Sequence, residues 1–209
     1  MTTYITRAEA AQLSGASASA INKAIEQKVI PTRKFKAGRL LDSRDLGAVR
    51  LYVMLSGGGL SLPVTHKRRL RSWLRNTDEV ELVVAPGLVV RRVDEVAEVM
   101  ARASRYVELR ERYLEANPKI RGGEPVIRGT RVPIRGLAKQ VEAGETIEVL
   151  REDYPNIPDE AFDFAVLWAR ANPRRGRPAV QSKPSQDEPP AGRVNLLEAR
   201  RTHAGVAER

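Results

Sequence analysis

The sequence predicts a mainly α chain with small β-hairpins, an α+β protein, and three observations point there. Apolar residues recur at helical spacing in several short stretches, as at Ile21, Ala24 and Ile25, at Leu70, Trp73 and Leu74, and at Phe162, Val166 and Ala169. Two pairs of short β-type runs flank glycine-containing turns, Ala37-Gly38 and Ala85-Pro86-Gly87. Beyond Pro173 the composition turns to arginine, proline and polar residues. These features divide the 209 residues into a head (1–57), a connector (58–113), a three-helix domain (114–173) and a basic tail (174–209).

In the head, Thr6 is placed to cap a helix whose Glu9 occupies the capping-box position, and Gly15 ends it. A second helix runs through Ser19 to Gln27, with Ile21, Ala24 and Ile25 on its apolar face. Val29-Ile30-Pro31 stops it, and Arg33–Lys36 and Arg39–Asp42 form a basic hairpin. Ser43 then caps a helix through Leu55. Helix, turn, helix, hairpin, helix is the order of a winged helix-turn-helix, and it resembles the DNA-binding heads of the excisionase and MerR type. A small helical domain with a solvated basic hairpin is the competing reading. On the first reading Ser17, Ser19, Asn22 and Lys23 face base edges, while Arg33, Lys34, Lys36 and Arg39 on the wing contact phosphates or the minor groove.

The connector opens with Pro63-Val64-Thr65 and a short helix, His66 to Arg75, whose cations lie mostly off the Leu70, Trp73 and Leu74 stripe. That basic run either touches DNA phosphates or is a solvated face. Glu79–Val84 and Leu88–Arg91 make a second hairpin, followed by a long helix from Asp94 through Arg112. Hairpin and helix together are a candidate dimerisation device.

In the third segment the run Gly122 to Ile134 combines glycines, prolines and two arginines around a short apolar core, and reads as a tightly specified extended turn. Arg128 and Arg131 either hold an anion or, as is expected of them, brace the turn by donating to backbone carbonyls. Three helices follow: Ile134 to Ala143, ended by Gly144; a second capped by Thr146 and stopped at Tyr154-Pro155; and a third opened by Pro158, with Asp159 and Glu160 at its positive end. Phe164, Leu167 and Trp168 widen the third helix's apolar stripe.

Arg174, Arg175 and Arg177 begin the tail, and residues 181–190 hold no large hydrophobe, which predicts disorder. A brief helix around Leu196 and Leu197 is too short to persist without a partner.

A formal charge of +10 and a pI near 10.3 favour a polyanionic partner, most simply nucleic acid. With no cysteine, disulfides, thiolate metal sites and cysteine nucleophiles are excluded. His66 and His203 show no metal spacing, and neither a phosphate-binding glycine loop nor a nucleophile elbow is present. The acidic group Glu152, Asp153, Asp159, Glu160 and Asp163 is the best catalytic candidate, since Asp159 and Asp163 share a helix face, but acids at a helix start need no further role. The expectation is a non-enzyme without metal or cofactor. No apolar run approaches the roughly 18–20 residues that span a bilayer and no signal segment is evident, so a cytoplasmic protein with no membrane partner is expected.

Asn117-Pro118-Lys119-Ile120, the stretch Gly123-Glu124-Pro125-Val126-Ile127-Arg128-Gly129-Thr130-Arg131-Val132-Pro133, Gly144-Glu145-Thr146, Asp153-Tyr154-Pro155 and Ala169-Arg170-Ala171-Asn172-Pro173 together resemble the domain of unknown function 433 family. The departure is Asn117, where a histidine or aspartate often precedes the proline. The resemblance implies a trihelical, helix-turn-helix-like module. Joined to a winged head and a basic tail, it is similar to the larger VapB-like antitoxins paired with PIN-type RNase toxins, whose active sites gather carboxylates around a metal. It implies that Arg174, Arg175, Arg177, Arg193, Arg200 and Arg201 pair with those carboxylates, with Leu196 and Leu197 anchoring in a groove. The tail read from composition alone is a solubilising extension. The expected function is therefore an antitoxin, a homodimer that binds its toxin and represses its own operon through operator DNA. The alternative is a stand-alone transcriptional regulator or excisionase-like factor.

Overall fold

A computed structural model describes residues 3–35 and 38–173. The expectations placed on Lys36 and on Arg174, Arg175, Arg177, Arg193, Leu196, Leu197, Arg200 and Arg201, and on the order or disorder of that tail, lie outside the described residues.

Among the described residues helices dominate, with three small antiparallel sheets between them. The chain opens with a strand that the sequence pattern does not predict, β1 (Tyr4–Ile5). Two residues cannot make a strand on their own; Tyr4 and Ile5 form one because Asp42 and Leu41 pair with them. Helix α1 (Arg7–Ser14) follows at once, since Thr6 Oγ1 accepts from the Glu9 amide (3.2 Å) while Glu9 Oε2 accepts from the Thr6 amide (2.7 Å). This is the predicted capping box. Gly15, at φ 66°, ends the helix in the left-handed region that side chains disfavour. Helix α2 (Ala18–Glu26) and strands β2 (Arg33–Phe35) and β3 (Gly38–Asp42) come next, giving a sheet in the order β1-β3-β2.

Ser43 is not the cap expected of it. The carboxylate of Asp42 accepts from the Arg44 amide (3.1 Å), Ser43–Asp45 form one tight helical turn, and α3 (Leu46–Gly57) begins only after it. A carboxylate on the strand end outcompetes the hydroxyl because it lies one residue earlier, where the chain still has extended geometry. Gly47 lets α3 pack closely on the long helix α5 (Asp94–Tyr113): a Cβ there would lie 2.8 Å from Met100 Cγ and Sδ.

Between them lie α4 (Val64–Asn76) and the hairpin β4 (Glu81–Ala85) and β5 (Leu88–Arg91), turned at Pro86-Gly87. Alternation sends Val84 and Val90 into the core and leaves Val83 and Val89 outside.

The segment after α5 holds a further sheet where the sequence pattern predicts turn alone. Strand β6 (Leu114–Glu115) pairs with β7 (Val126–Ile127), and a bridge joins Val126 to Pro133. Helices α6 (Ile134–Glu142), α7 (Ile147–Asp153) and α8 (Asp159–Ala171) then stand where their punctuation predicts. Thr146 caps α7, and Pro158 occupies the cap position of α8, one residue earlier than expected. One hydrophobic core runs through the described residues, from Ile5 and Leu13 through Leu46, Val96 and Tyr106 to Phe162 and Phe164. The rings of Tyr106 and Tyr113 each lie 6.2 Å from that of Phe164, which seats α8 on α5.

Candidate nucleic-acid interface

The predicted contact residues fall on α2 and on the β2–β3 hairpin. On α2, Ile21 and Ala24 are buried, so the helix turns Ser19, Asn22 and Lys23 outward. Ser17 has a structural role as well, since its hydroxyl accepts from the Ala20 amide (3.1 Å) and caps the helix. Asn22 is steadied from α1, because Arg7 Nη1 donates to its Oδ1 (3.0 Å). Sequence reasoning does not single out Arg7; a long cation in the first turn of the preceding helix is the available signal.

In the hairpin, Lys34 stands directly opposite Arg39, and Arg33 opposite Leu40. Partners in an antiparallel pair share a face. Since Arg39 and Leu41 are two residues apart, Lys34 and Arg39 continue, beyond the core, the face on which Ile5 and Leu41 are buried. Both cations are exposed. Like charges placed opposite one another cost stability unless an anion lies between them. Arg33 belongs to the other face, its guanidinium 5.6 Å from the centre of the Tyr4 ring, against which Phe35 also packs at 4.9 Å. Arg33 is thereby oriented by a stack while remaining open to solvent.

The other basic run divides differently. Lys67 is buried, donating to Gln27 Oε1 (2.8 Å) with its ammonium 5.6 Å from the Tyr52 ring centre. Arg71 and Arg75 both donate to Asp45 Oδ1, at 2.7 and 2.8 Å, and Arg75 reaches Asp42 Oδ2 at 3.3 Å. Asp42 also accepts the Arg44 guanidinium. Burial works to raise the Asp42 pKa, but the hydrogen bonds from the Arg44 side chain and amide, with the charge of Arg75, hold it below the usual carboxylate value. Lys67, Arg71 and Arg75 are thus engaged within the fold, whereas Arg68 and Arg69 face outward.

Arg128 braces its segment as expected, donating to the carbonyls of Glu111 (3.0 Å), Arg112 (3.2 Å) and Leu114 (2.8 Å) and so closing the end of α5. Arg131 is exposed. In the acidic group, Glu160 accepts from Arg105, Arg112 and Tyr113. Asp159 pairs with Arg151, whose hydrogen bond lowers its pKa. Among the described residues no helix is long and apolar enough to cross a membrane.

Residues 114–169, from β6 into α8, match the model of a family described as "Protein of unknown function (DUF433)". That is a little over a quarter of the chain, and it covers the glycine-rich segment and nearly all of the three helices that follow. Among solved structures, the chain is similar to the crystal structure of Rv2018 from Mycobacterium tuberculosis at 15% identity and a TM-score of 0.37, over 79% of this chain and 98% of that one. No curated protein matches the chain.

Proposed function

We propose that this chain is a DNA-binding antitoxin: a winged head reads operator DNA as a homodimer, and the segment after Pro173 binds a PIN-type RNase toxin. The observation that carries the DNA half is the opposed pair Lys34 and Arg39 on an exposed hairpin. Helix α2 adds Ser19, Asn22 and Lys23 as an exposed polar face in the same head. Two cations held opposite one another on a strand pair suit a phosphate backbone, which supplies the missing anions and most of the affinity. Helix α2 supplies hydrogen-bonding side chains for base edges. A formal charge of +10 agrees with this. The toxin half rests on the likeness of head, middle domain and basic tail together to the larger VapB-like antitoxins, and on the arginines of the tail; the family matched at residues 114–169 is itself of unknown function.

The test has two arms. Fluorescence anisotropy on the DNA upstream of the gene should give binding that weakens steeply with salt, log K falling by about 0.9 per phosphate neutralised for each decade of salt. Co-expression with the neighbouring reading frame should give a complex with the full chain and none with a chain ending at Pro173. DNA binding without any complex supports the stand-alone regulator. The absence of both overturns the whole reading.

A further inference from the structure

Eight large hydrophobic residues stay exposed among the described residues, and four of them, Val80, Val83, Val89 and Val93, lie on the β4–β5 hairpin or beside it. Single exposed valines need no explanation, but two directly opposed on one small sheet do. The register is specific. Val83 stands opposite Val89, 57% and 49% exposed, and Glu81 stands opposite Arg91. Glu81, Val83, Val89 and Arg91 share by alternation the face away from the core, whereas Val84 and Val90 are buried, with α4 beneath β4. Glu81 and Arg91 form an ion pair, yet 48% and 73% of their side chains remain exposed.

We infer that this outer face of the β4–β5 hairpin is the surface on which a second copy of the chain docks. The charge pattern selects that occupant. A two-fold axis lying between two such faces and running along the strands sets β4 of one copy over β5 of the other, with the same ends together. Glu81 then meets the second copy's arginine at position 91, Val83 meets the second copy's valine at position 89, and each contact occurs twice, as a closed isologous interface requires. Stacked sheets lie about 10 Å apart, a gap that paired valines fill. An apolar centre rimmed by complementary charge is the anatomy of a protein interface. This contact supplies the two-fold that the operator-binding homodimer needs. It rests on that reading for its purpose, but its geometry comes from the hairpin alone.

The test is sedimentation equilibrium on the full chain, on Glu81→Arg, on Arg91→Glu, and on an equal mixture of the two variants. The wild type should be a dimer. Each variant alone brings like charges together across the axis and should dimerise on the order of tenfold more weakly or worse. The mixture joins a wholly basic face to a wholly acidic one and should recover a dimer holding one chain of each kind. Recovery on mixing cannot come from the pair within one hairpin, and it also clears both variants of misfolding. A monomeric wild type, a dimer indifferent to both substitutions, or a mixture that stays monomeric overturns the proposal. A dimer that behaves as expected but binds no DNA overturns only the operator reading.

Discussion

The hydroxyl of Tyr106, in the middle of α5, donates to the carboxylate of Glu9 on α1 at 2.5 Å, and both side chains are buried. Around this bond a small network closes. Arg110 donates to Glu9 Oε1 (3.3 Å) and to the carbonyl of Tyr4 (2.8 Å), Thr6 donates its amide to Oε2, and Asn172, just past α8, donates to the Tyr106 oxygen (3.3 Å). A helix cap, a strand end, the long helix and the residue just past α8 thus meet around one carboxylate. Replacing Tyr106 by Phe keeps the ring and removes the short bond, leaving Glu9 Oε1 in a buried site with the longer bond from Arg110. We expect a loss of about 1–3 kcal/mol of unfolding free energy, measured by urea denaturation at neutral pH. A midpoint unchanged from wild type would mean that the bond contributes nothing.

The same contact sets an alkaline limit. Burial, and then the negative charge of Glu9, push the Tyr106 pKa far above the ordinary phenol value of 10.0. The folded protein therefore keeps a proton that the unfolded chain releases. Stability from this group is complete below about pH 10 and is lost as pH rises beyond it. Thermal unfolding followed by circular dichroism should show Tm falling more steeply above about pH 10 in the wild type than in Tyr106→Phe. Parallel curves would refute the assignment.

How much of the fold can be read from the sequence depends on whether the cause is local. The capping box at Thr6 and Glu9, the stop at Gly15, the cap at Thr146 and the apolar stripe of α8 are decided within a turn or two, and each is legible. Strand β1 is not, because Tyr4 and Ile5 are strand only through Asp42 and Leu41, far along the chain. The β6–β7 pair escapes for the same reason. The basic run from Lys67 to Arg75 is legible as charge but not as structure: its partners Gln27, Asp42 and Asp45 come from outside its own helix. Ser17 is legible as a polar surface residue but is also a cap, a second use that its position just before an apolar-periodic stretch discloses.

Asp45 is almost wholly buried and holds two arginines of α4 against the start of α3. Removing Asp45 takes from Arg71 and Arg75 a carboxylate that both share, and leaves Arg75 with Asp42. We expect Asp45→Ala to cost about 1.5–3 kcal/mol, read from the denaturant midpoint. The neighbouring Asp42 has a lowered pKa, so its contribution is present above the ordinary value of 3.8 and is lost as pH falls through the lower folded value. Acid unfolding should therefore begin at higher pH once Arg75→Ala takes away part of what holds that carboxylate ionised. An acid midpoint unmoved by Arg75→Ala would show that Arg44 alone sets it.

The two groups of cations should separate cleanly by assay. Lys34 and Arg39 are exposed and opposed on the hairpin, and among the described residues no carboxylate is bonded to either. Their loss should leave the melting temperature unchanged or slightly raised by relief of like-charge repulsion. On DNA, each of Lys34→Ala and Arg39→Ala should weaken binding about equally across sequences and lower the salt slope by about 1. Arg71→Ala and Arg75→Ala should do the reverse, lowering Tm through the loss of Asp45's partners while leaving the salt slope of the folded protein unchanged. Paired measurements of Tm and of binding across a salt series decide between these outcomes. If the α4 variants lower the salt slope and the hairpin variants leave it untouched, DNA lies against α4 and the wing assignment fails. An arginine already answered by a buried carboxylate has little charge left to offer a phosphate, and an unanswered pair on a strand has all of it.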